Sequence, residues 1–523
     1  MIAGRRDVLL GLASAAVLLE SGVPALAARG DSAAQPLVAA FAGGATTLDP
    51  IMRSETTTIS WQRQMFDTVT MLAPDGSPQP RIATAWKDVS PTEWQLTLRK
   101  GVRFHDGSEM TADDVGRSIM DTKENPKSQF REYASAVSGY KVVDPTTLTV
   151  SFSTPNPLFP IYLSQVPVMP EALIAKQGRT AFAQHPIGTG PYKFVSWLAQ
   201  DHLVLEAWDG FWGDKPVFRH VRMESVPEGA TRLAALLSGQ VQYAEKIDPT
   251  DFGRVKSSGR ANLSVVSGLR SMYLAFDVWR AENSPGMAPG SKNPFMDVRV
   301  REAAMQAINV PLIRDKIFAG AATVAAQYTP AGLEAYDPSL KPPEYNPGNA
   351  RKLLQAAGYG KGFSVRLDAT NDRYLEDSLV AQAIGGMLEE VGIQVKVNAI
   401  PKAVFFPQVD KGDFTMYMAG WAGTDPISTW NAMFHCRDPK AGFGHVNRAH
   451  HCNPEADKVM AKAAESFDPP KRIALERQAY AMGYKDYAYN PLYFQDEVAG
   501  VAKDLVWQER PDGLVFIWQM KRA

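Results

Sequence analysis

The feature that most constrains the fold is a regular alternation of strand and helix patterns across residues 363–419. Apolar side chains first repeat with a period of two and then mark one face of a helix, including Leu379 and Val380, that ends at Gly392. A second strand over 393–397, a short helix and a third strand complete the run. Because strands separated by helices pack as a partly parallel sheet, the sequence predicts an α/β lobe.

Length and charge limit the number of lobes and the classes of binding partner that the chain can have. A chain of 523 residues is too long for one hydrophobic core, so two or more lobes are expected. The 55 Lys and Arg residues nearly balance the 56 Asp and Glu residues, which gives no reason to expect nucleic acid or an anionic membrane as a partner. No apolar run reaches the roughly 18 residues that a membrane-spanning helix needs.

The N-terminus carries a targeting pattern. Arg5 and Arg6 precede an apolar run over 8–19, and a small-x-small cleavage site follows at 25–27. Residues 1–27 are therefore predicted to be a signal peptide, and the paired arginines favour the twin-arginine route over the general secretory one. No Cys lies near the cleavage site, so the exported chain is expected to be soluble in the periplasm and not lipid-anchored.

A glycine-rich segment opens a strand near the middle of the chain. Gly188 and Gly190 enclose Thr189, Pro191 follows, and strand alternation begins at Tyr192. Glycines permit a backbone bend that a side chain would block, and Pro suits the first position of a strand. No Lys-Ser/Thr pair follows, so the segment is not a phosphate-binding loop and by itself predicts a bent strand start.

A second segment combines a tight turn with the start of a helix. Residues 101–107 read Gly-Val-Arg-Phe-His-Asp-Gly, and Thr111 stands before Ala-Asp-Asp-Val as a helix N-cap. His105 and Asp106 carry groups that enzymes use in catalysis. A turn held by side-chain hydrogen bonds explains them better.

The segments 101–115, 186–192, 297–303 and 345–359 resemble, in this order along the chain, segments of the family 5 solute-binding proteins of ABC importers. That family includes periplasmic receptors for peptides, glutathione and nickel. The resemblance implies an α/β, two-lobed periplasmic-binding-protein fold of type II, in its large cluster with an extra N-terminal subdomain. Its lobes would hinge around a central cleft.

The resemblance also predicts domain boundaries and a role. Residues 28–269 would form lobe I with an inserted subdomain at about 62–185, residues 270–489 would form lobe II, and residues 490–523 would return to lobe I. The chain would act as a monomeric receptor that captures a small solute, peptide-like or otherwise organic. It would deliver the solute unchanged to an inner-membrane ABC permease, with no catalysis and no cofactor.

Three segments are expected to face the cleft, namely a polar loop near the N-terminus, the crossing between lobes, and the end of a buried strand at Gly420. Arg270 at the crossing can pair with a ligand carboxylate. The alternatives are a solvated loop, a surface arginine and a tryptophan in the core. The predicted ligand-binding residues are Arg53, Ser54, Glu55, Arg270, Tyr273, Trp421, Thr424, Asp425 and Trp430.

The loop after Gly420 departs from the family pattern. Peptide receptors of this family commonly carry Gly/Ala-Asp-x-x-Asp/Glu-Pro there, and the first Asp pairs with the α-amino group of the peptide. This chain reads Gly-Thr-Asp-Pro over residues 423–426. The amine-binding Asp is missing or displaced, which favours a small molecule other than an ordinary peptide.

Histidines and both cysteines cluster between residues 435 and 452. Such a set allows either a metal site or a disulfide, and export to an oxidising compartment favours the disulfide. A bridge that closes this loop would stabilise the fold by roughly 3 kcal/mol, and family members with two cysteines here pair them. We predict the disulfide and no metal. The clustered residues are His435, Cys436, His445, His450, His451 and Cys452.

Two alternative functions remain open from the residues. A metal-chelate receptor, for nickel or haem, would use His450 and His451. A periplasmic hydrolase would use Ser138 in a Ser-x-x-Lys pattern that ends at Lys141, but the motifs that accompany this pattern in known hydrolases are absent.

Overall fold

A computed structural model describes residues 36–423 and 425–523. The predicted signal peptide, residues 1–27, lies outside the described residues. Over the described ranges, no helix has both the length and the apolar character needed to cross a membrane.

The strands alternate with helices through most of the chain. They are β1 (Leu37–Phe41), β2 (Thr70–Leu72), β3 (Pro78–Pro80), β4 (Ala83–Ser90), β5 (Glu93–Leu98), β6 (Val137–Asp144), β7 (Thr147–Phe152), β8 (Tyr192–Leu198), β9 (His202–Ala207), β10 (His220–Ser225), β11 (Tyr243–Glu245), β12 (Ala261–Phe276), β13 (Ala322–Val324), β14 (Phe363–Thr370), β15 (Ile393–Ile400), β16 (Met416–Ala422), β17 (Tyr489–Ala502), β18 (Leu505–Val506) and β19 (Lys521–Arg522).

The helices are mostly short. They are α1 (Thr56–Gln62), α2 (Ala112–Glu124), α3 (Arg131–Ala134), α4 (Phe159–Tyr162), α5 (Glu171–Gln177), α6 (Arg179–Gln184), α7 (Gly229–Ser238), α8 (Phe252–Ser258), α9 (Val298–Ala307), α10 (Val310–Lys316), α11 (Pro347–Ala356), α12 (Asp377–Glu389), α13 (Lys402–Asp410), α14 (Pro426–Thr429), α15 (Pro454–Ala464) and α16 (Pro469–Tyr484).

Two long strands join the halves of the molecule. The largest sheet has the strand order β15-β14-β16-β12-β17-β11-β1-β10-β9-β8, with β13 also paired to β17. The 16-residue β12 and the 14-residue β17 run antiparallel through its centre. We call the half built on β1 and β8–β11 lobe I, and the half built on β13–β16 lobe II. Within residues 36–423 and 425–523, the sheet therefore passes from one lobe to the other through two strands.

Lobe II confirms the predicted α/β pattern. Strand β14 pairs in parallel with both β15 and β16, and α12 lies between β14 and β15 in the chain. Val380, Ile384 and Leu388 of α12 are fully buried because a spacing of four residues keeps them on one face. The prediction that Leu379 shares this face is wrong, since it lies about 100° around the helix and is 46% exposed.

A smaller antiparallel sheet, β4-β5-β7-β6, packs against α2 around its own apolar core. Helix α2 begins with the predicted N-cap: the Asp114 N–H donates to Thr111 Oγ1, and the Thr111 N–H donates to Asp114 Oδ2. This reciprocal pair satisfies two backbone donors that the helix start leaves open. Val115 and Ile119 of α2 are buried against the sheet.

The glycine-rich segment before β8 is a junction rather than a simple bend. The Gly190 N–H donates to Met65 O at 2.8 Å. A Cβ added at Gly188 would lie 2.1 Å from the same oxygen, so only glycine fits. The Gly188 N–H also donates to His105 Nδ1, and His105 Nε2 lies 2.9 Å from Gly190 O. His105 therefore holds the backbone together at this junction, as predicted for a structural rather than a catalytic residue. Burial lowers the pKa of its imidazole to about 4.

Candidate functional site

A cavity of about 500 Å³ lies where β12 and β17 cross between the lobes. Lobe I supplies polar groups such as Ser54, Gln129 and Tyr133, and lobe II supplies Tyr374 and Trp421. The lobes also contact each other beside it, where Tyr162 Oη lies 3.5 Å from Ser428 Oγ and the rings of Trp94 and Phe467 are 5.9 Å apart. The cavity has a volume typical of small-molecule sites.

An irregularity in the hinge strands brings Arg270 to the cavity. The pairing of β12 with β17 shifts register between Ser267 and Ser271, so residues 268–270 face only one residue of β17. The Leu269 N–H instead donates to Pro511 O at 2.9 Å. Bulges of this kind redirect side chains at sheet centres and rims, and Arg270 lines the cavity.

Arg270 and Arg373 both lie close to the ring of Tyr374. Their guanidinium carbons lie 5.9 and 5.5 Å from the ring centroid, and Tyr374 Oη donates to Gly420 O at 3.2 Å. Within residues 36–423 and 425–523, neither guanidinium forms a hydrogen bond or an ion pair with a protein group. Burial, and then the charge of Arg373, lower the pKa of Arg270. Glu497 acts on Arg270 only through its charge, so the two guanidiniums form a positive wall without a hydrogen-bonded or ion-paired carboxylate among the described residues.

The other charged groups of the cavity are mostly neutralised. Arg448 Nε donates to Asp410 Oδ1 at 2.6 Å, and Arg510 Nη2 donates to Asp512 Oδ2 at 2.7 Å. Glu132 also lines the cavity but is exposed. The remaining cavity-lining carboxylate is that of Glu497 on β17. Unpaired charge at this site therefore lies on Arg270, Arg373 and Glu497.

Four of the predicted ligand-binding residues line this cavity: Ser54, Arg270, Tyr273 and Trp421. The Ser54 N–H and hydroxyl both donate to Gln129 Oε1, which orders the N-terminal loop. Trp421 Nε1 donates to Thr429 Oγ1 at 3.2 Å. Tyr273 is 1% exposed and packs within a cluster of tyrosines, so little of its surface is open to the cavity.

The structure corrects the placement of the other predicted residues. Arg53 and Glu55 are exposed beside the cavity and are not among its described lining residues. Asp425 caps α14, where the Ser428 N–H donates to its Oδ1 at 2.8 Å, and it lines a separate cavity of about 40 Å³. Thr424 lies outside the described residues.

The prediction that Trp430 faces the cleft is wrong. It is fully buried, donates from Nε1 to Asp457 Oδ1 at 2.9 Å, and stacks on Phe434. A turn of π-helix over Trp430–Phe434 places the indole in the core of lobe II.

Sequence reasoning missed Arg373, Tyr374 and Glu497. The first two had a signal, because they follow the carboxyl end of β14 just as Trp421 lies at the end of β16. No sequence signal pointed to Glu497, since it lies within a strand whose alternation does not reveal which face meets the cavity.

The clustered histidines and cysteines are used structurally. Cys436 and Cys452 form the predicted disulfide. His451 Nε2 lies 2.8 Å from Asp486 Oδ2, whereas His450 stacks on Trp279 with ring centroids 4.3 Å apart. Within the described parts of the chain, no group of three or more His, Cys, Asp or Glu residues is arranged to hold a metal ion.

Comparisons with known proteins agree with this architecture. A family profile described as bacterial extracellular solute-binding proteins, family 5, matches residues 77–441. The glutathione-binding protein GsiB of Salmonella choleraesuis (strain SC-B67) is 26% identical over 513 residues, which cover 95% of this chain and 94% of that protein.

Solved structures share the fold. HbpA2 from Haemophilus parasuis superposes with a TM-score of 0.81 at 21% identity, covering 94% of this chain and all of that one. The periplasmic binding protein DppA from Helicobacter pylori, in complex with the peptide STSA, has a TM-score of 0.75 at 21% identity and covers 94% and 98% of the two chains.

Proposed function

This chain belongs to family 5 of the bacterial extracellular solute-binding proteins, and we propose that its solute is a small organic molecule that carries a carboxylate. As a member of that family it is a substrate-binding receptor of an ABC transporter. The solute would lie in the cavity between the lobes, with its carboxylate against Arg270 and Arg373. Peptide-like compounds, including the glutathione that names the relative GsiB, meet this description.

The observation that carries the proposal is the pair of guanidiniums near Tyr374 that form no hydrogen bond or ion pair within the described residues. Arg presents a planar fork of donors that matches a carboxylate in bidentate geometry. A half-buried Arg270 without a hydrogen-bonded anion loses hydration that a bound carboxylate would replace. The ring of Tyr374, whose hydroxyl donates to Gly420 O, lies near both cations and gives the solute an apolar surface to pack against.

The fold supports capture and release without chemistry. Among the described residues, β12 and β17 alone connect the lobes, so small changes in these strands can open and close the cleft in the manner of a hinge. We propose that the monomeric, closed receptor then docks on an inner-membrane permease from the periplasmic side, without nucleic acid as a partner.

Family membership does not favour the two alternatives. The metal-chelate hypothesis relied on His450 and His451; His451 Nε2 lies 2.8 Å from Asp486 Oδ2, and His450 stacks on Trp279. The hydrolase hypothesis relied on Ser138, which is exposed on β6 in the smaller sheet.

A screen of thermal stability tests the proposal. The panel contains glutathione, di- and tripeptides, and organic acids, each alongside its amide or ester that lacks the carboxylate. A solute at 100 times its Kd should stabilise the fold by about 2.7 kcal/mol. We expect stabilisation by carboxylates and not by their neutral derivatives.

Variants locate the site. Arg270→Gln should weaken binding of the best solute by about 10- to 100-fold, as expected for loss of a charged bidentate pair. Arg53→Gln is the matched control, because Arg53 lies beside the cavity without lining it. Equal affinities for wild type and Arg270→Gln, or binding that ignores the carboxylate, would refute the proposal.

A further inference from the structure

The lobes also contact each other through residues 156–163, which follow β7 and are not among the described lining residues of the interlobe cavity. Leu158 is 4% exposed and packs in a core whose other buried members lie within residues 273–489 of the described chain. Ile161 and Tyr162 pack against the same core. The segment that leaves the smaller sheet therefore inserts apolar side chains into lobe II.

Lobe II makes the reciprocal contact through Phe467, in the connection between α15 and α16. Phe467 is half-buried and packs against the core of the smaller sheet, whose buried members lie within residues 69–168 of the described chain. Its ring centroid lies 5.9 Å from that of Trp94, whose Nε1 donates to Asn156 O at 2.9 Å. Each side thus packs an apolar group against the core of the other, and separation of the lobes would expose both groups to water.

Spacing along α4 separates two sets of apolar side chains. Leu158, Ile161 and Tyr162 stand at i, i+3 and i+4, so they share the face that meets lobe II. Phe159 and Leu163 stand at i and i+4 on another face, and both are fully buried in the core of the smaller sheet. The smaller sheet therefore anchors the segment, and lobe II covers a face that is already formed.

This contact is joined to the solute cavity from both lobes. The ring of Tyr162 lies 5.8 Å from that of Tyr133, which lines the solute cavity. In lobe II, Thr429 lines the small cavity beside Leu158 and accepts a hydrogen bond from Trp421 Nε1, and Trp421 lines the solute cavity. Closure of the lobes therefore forms this contact and the walls of the solute cavity in one movement.

We propose that the side chains exchanged between the lobes form a latch that stabilises the closed receptor whatever the chemistry of the solute. The latch consists of Leu158, Ile161, Tyr162 and Phe467. This inference rests on the proposed hinge motion of β12 and β17, and it adds a determinant of closure that lies outside the solute site. Because opening exposes the apolar surface that the latch buries, the latch shifts the equilibrium toward the closed form. A solute that binds the closed form gains affinity from this shift.

The test measures opening of the latch with no solute added. Thr329 is 8% exposed and lines, from lobe II, the cavity of about 40 Å³ beside Leu158. Thr329→Cys supplies a single free thiol, because the two native cysteines are joined in the disulfide. A maleimide attached to a long polyethylene glycol chain is too large for that cavity. Its rate of reaction with the full mature chain therefore reports how often the lobes separate.

Two leucines on different faces of one segment give matched variants. In the Thr329→Cys chain, Leu158→Ala should speed the reaction by about 10- to 100-fold, because less apolar surface is buried on closure. Leu163→Ala removes the same atoms from the core of the smaller sheet. It should lower the thermal midpoint but keep the reaction rate within about twofold. Phe467→Ala loosens the latch from lobe II and should speed the reaction as well, so the test does not depend on one variant folding.

The outcomes separate this proposal from the previous one. An unchanged rate in either folded latch variant would overturn the latch, and so would equal acceleration by Leu163→Ala. A thiol in the intact latch that reacts as fast as in the urea-unfolded chain would also overturn it. Failure of every carboxylate in the thermal screen would overturn the proposed solute and leave the latch standing, since the thiol assay contains no solute.

Discussion

Glu476 on α16 gives a sharp prediction about stability. Its side chain is 1% exposed, and its Oε2 has no hydrogen-bond partner within the described residues. Burial, followed by the charge of Glu334, raises the pKa of Glu476 to about 8. The native protein therefore holds this proton across a pH range in which the unfolded chain releases it.

The direction of the pH dependence of stability follows from this difference in pKa between the folded and the unfolded chain. Because the folded-state pKa lies above the unfolded value of 4.5, the contribution of Glu476 to stability is full below pH 4.5 and is lost as the pH rises toward 8. A shift from 4.5 to about 8 corresponds to roughly 5 kcal/mol as an upper bound. Relaxation and water entry around the ionised group reduce such penalties, so we expect about 2 to 4 kcal/mol.

Replacing Glu476 by Gln should remove this loss of stability with rising pH. Arg472, whose Nε lies 3.7 Å from Glu476 Oε1, keeps its closer ion pair with Glu334 in the variant. Urea unfolding of both proteins at pH 5.5 and pH 9 should show the variant gaining about 2 to 4 kcal/mol relative to wild type at the higher pH.

Glu455→Gln is the control, since Glu455 forms an exposed pair with Lys458 and should show no such change. Parallel pH profiles for wild type and Glu476→Gln would refute the reasoning that this carboxyl is protonated in the fold.

Two further predictions concern the fold. Replacing Gly188 by Ala should lower the free energy of unfolding by about 3 kcal/mol or more, because the new Cβ meets Met65 O at 2.1 Å; a thermal midpoint equal to wild type would contradict the packing described. Replacing Cys436 and Cys452 together by Ser should lower the free energy of unfolding by about 3 kcal/mol, because the loop between them is no longer closed. Urea unfolding measures this difference. Reduced wild type is the control and should unfold like the double variant.

Local signals predicted several elements well. The periodicity over 363–419 indicated the parallel lobe, and Thr111 with its following acidic residues indicated the start of α2. An exported chain with two cysteines allows a single intramolecular disulfide, between Cys436 and Cys452. Each of these depends on residues that are close in sequence or on a choice with few alternatives.

Predictions of which helical side chains face the core or the cleft were less successful. Leu379 and Trp430 are both apolar residues in helical turns, yet one is exposed and the other is fully buried. An error of one residue rotates a helical side chain by about 100°. A π-helical turn, which changes that rotation again, leaves little trace in the sequence.

What the sequence by itself determined is many of the strands and helices, the disulfide and the family, because these follow from periodicity, capping, ordered motifs and the presence of just two cysteines. Only the tertiary structure decided that Arg270, Arg373 and Glu497 share one cavity. They come from a bulge in β12, the loop after β14 and the interior of β17. Segments so far apart meet only when the strands are placed side by side, and local preferences do not encode that placement.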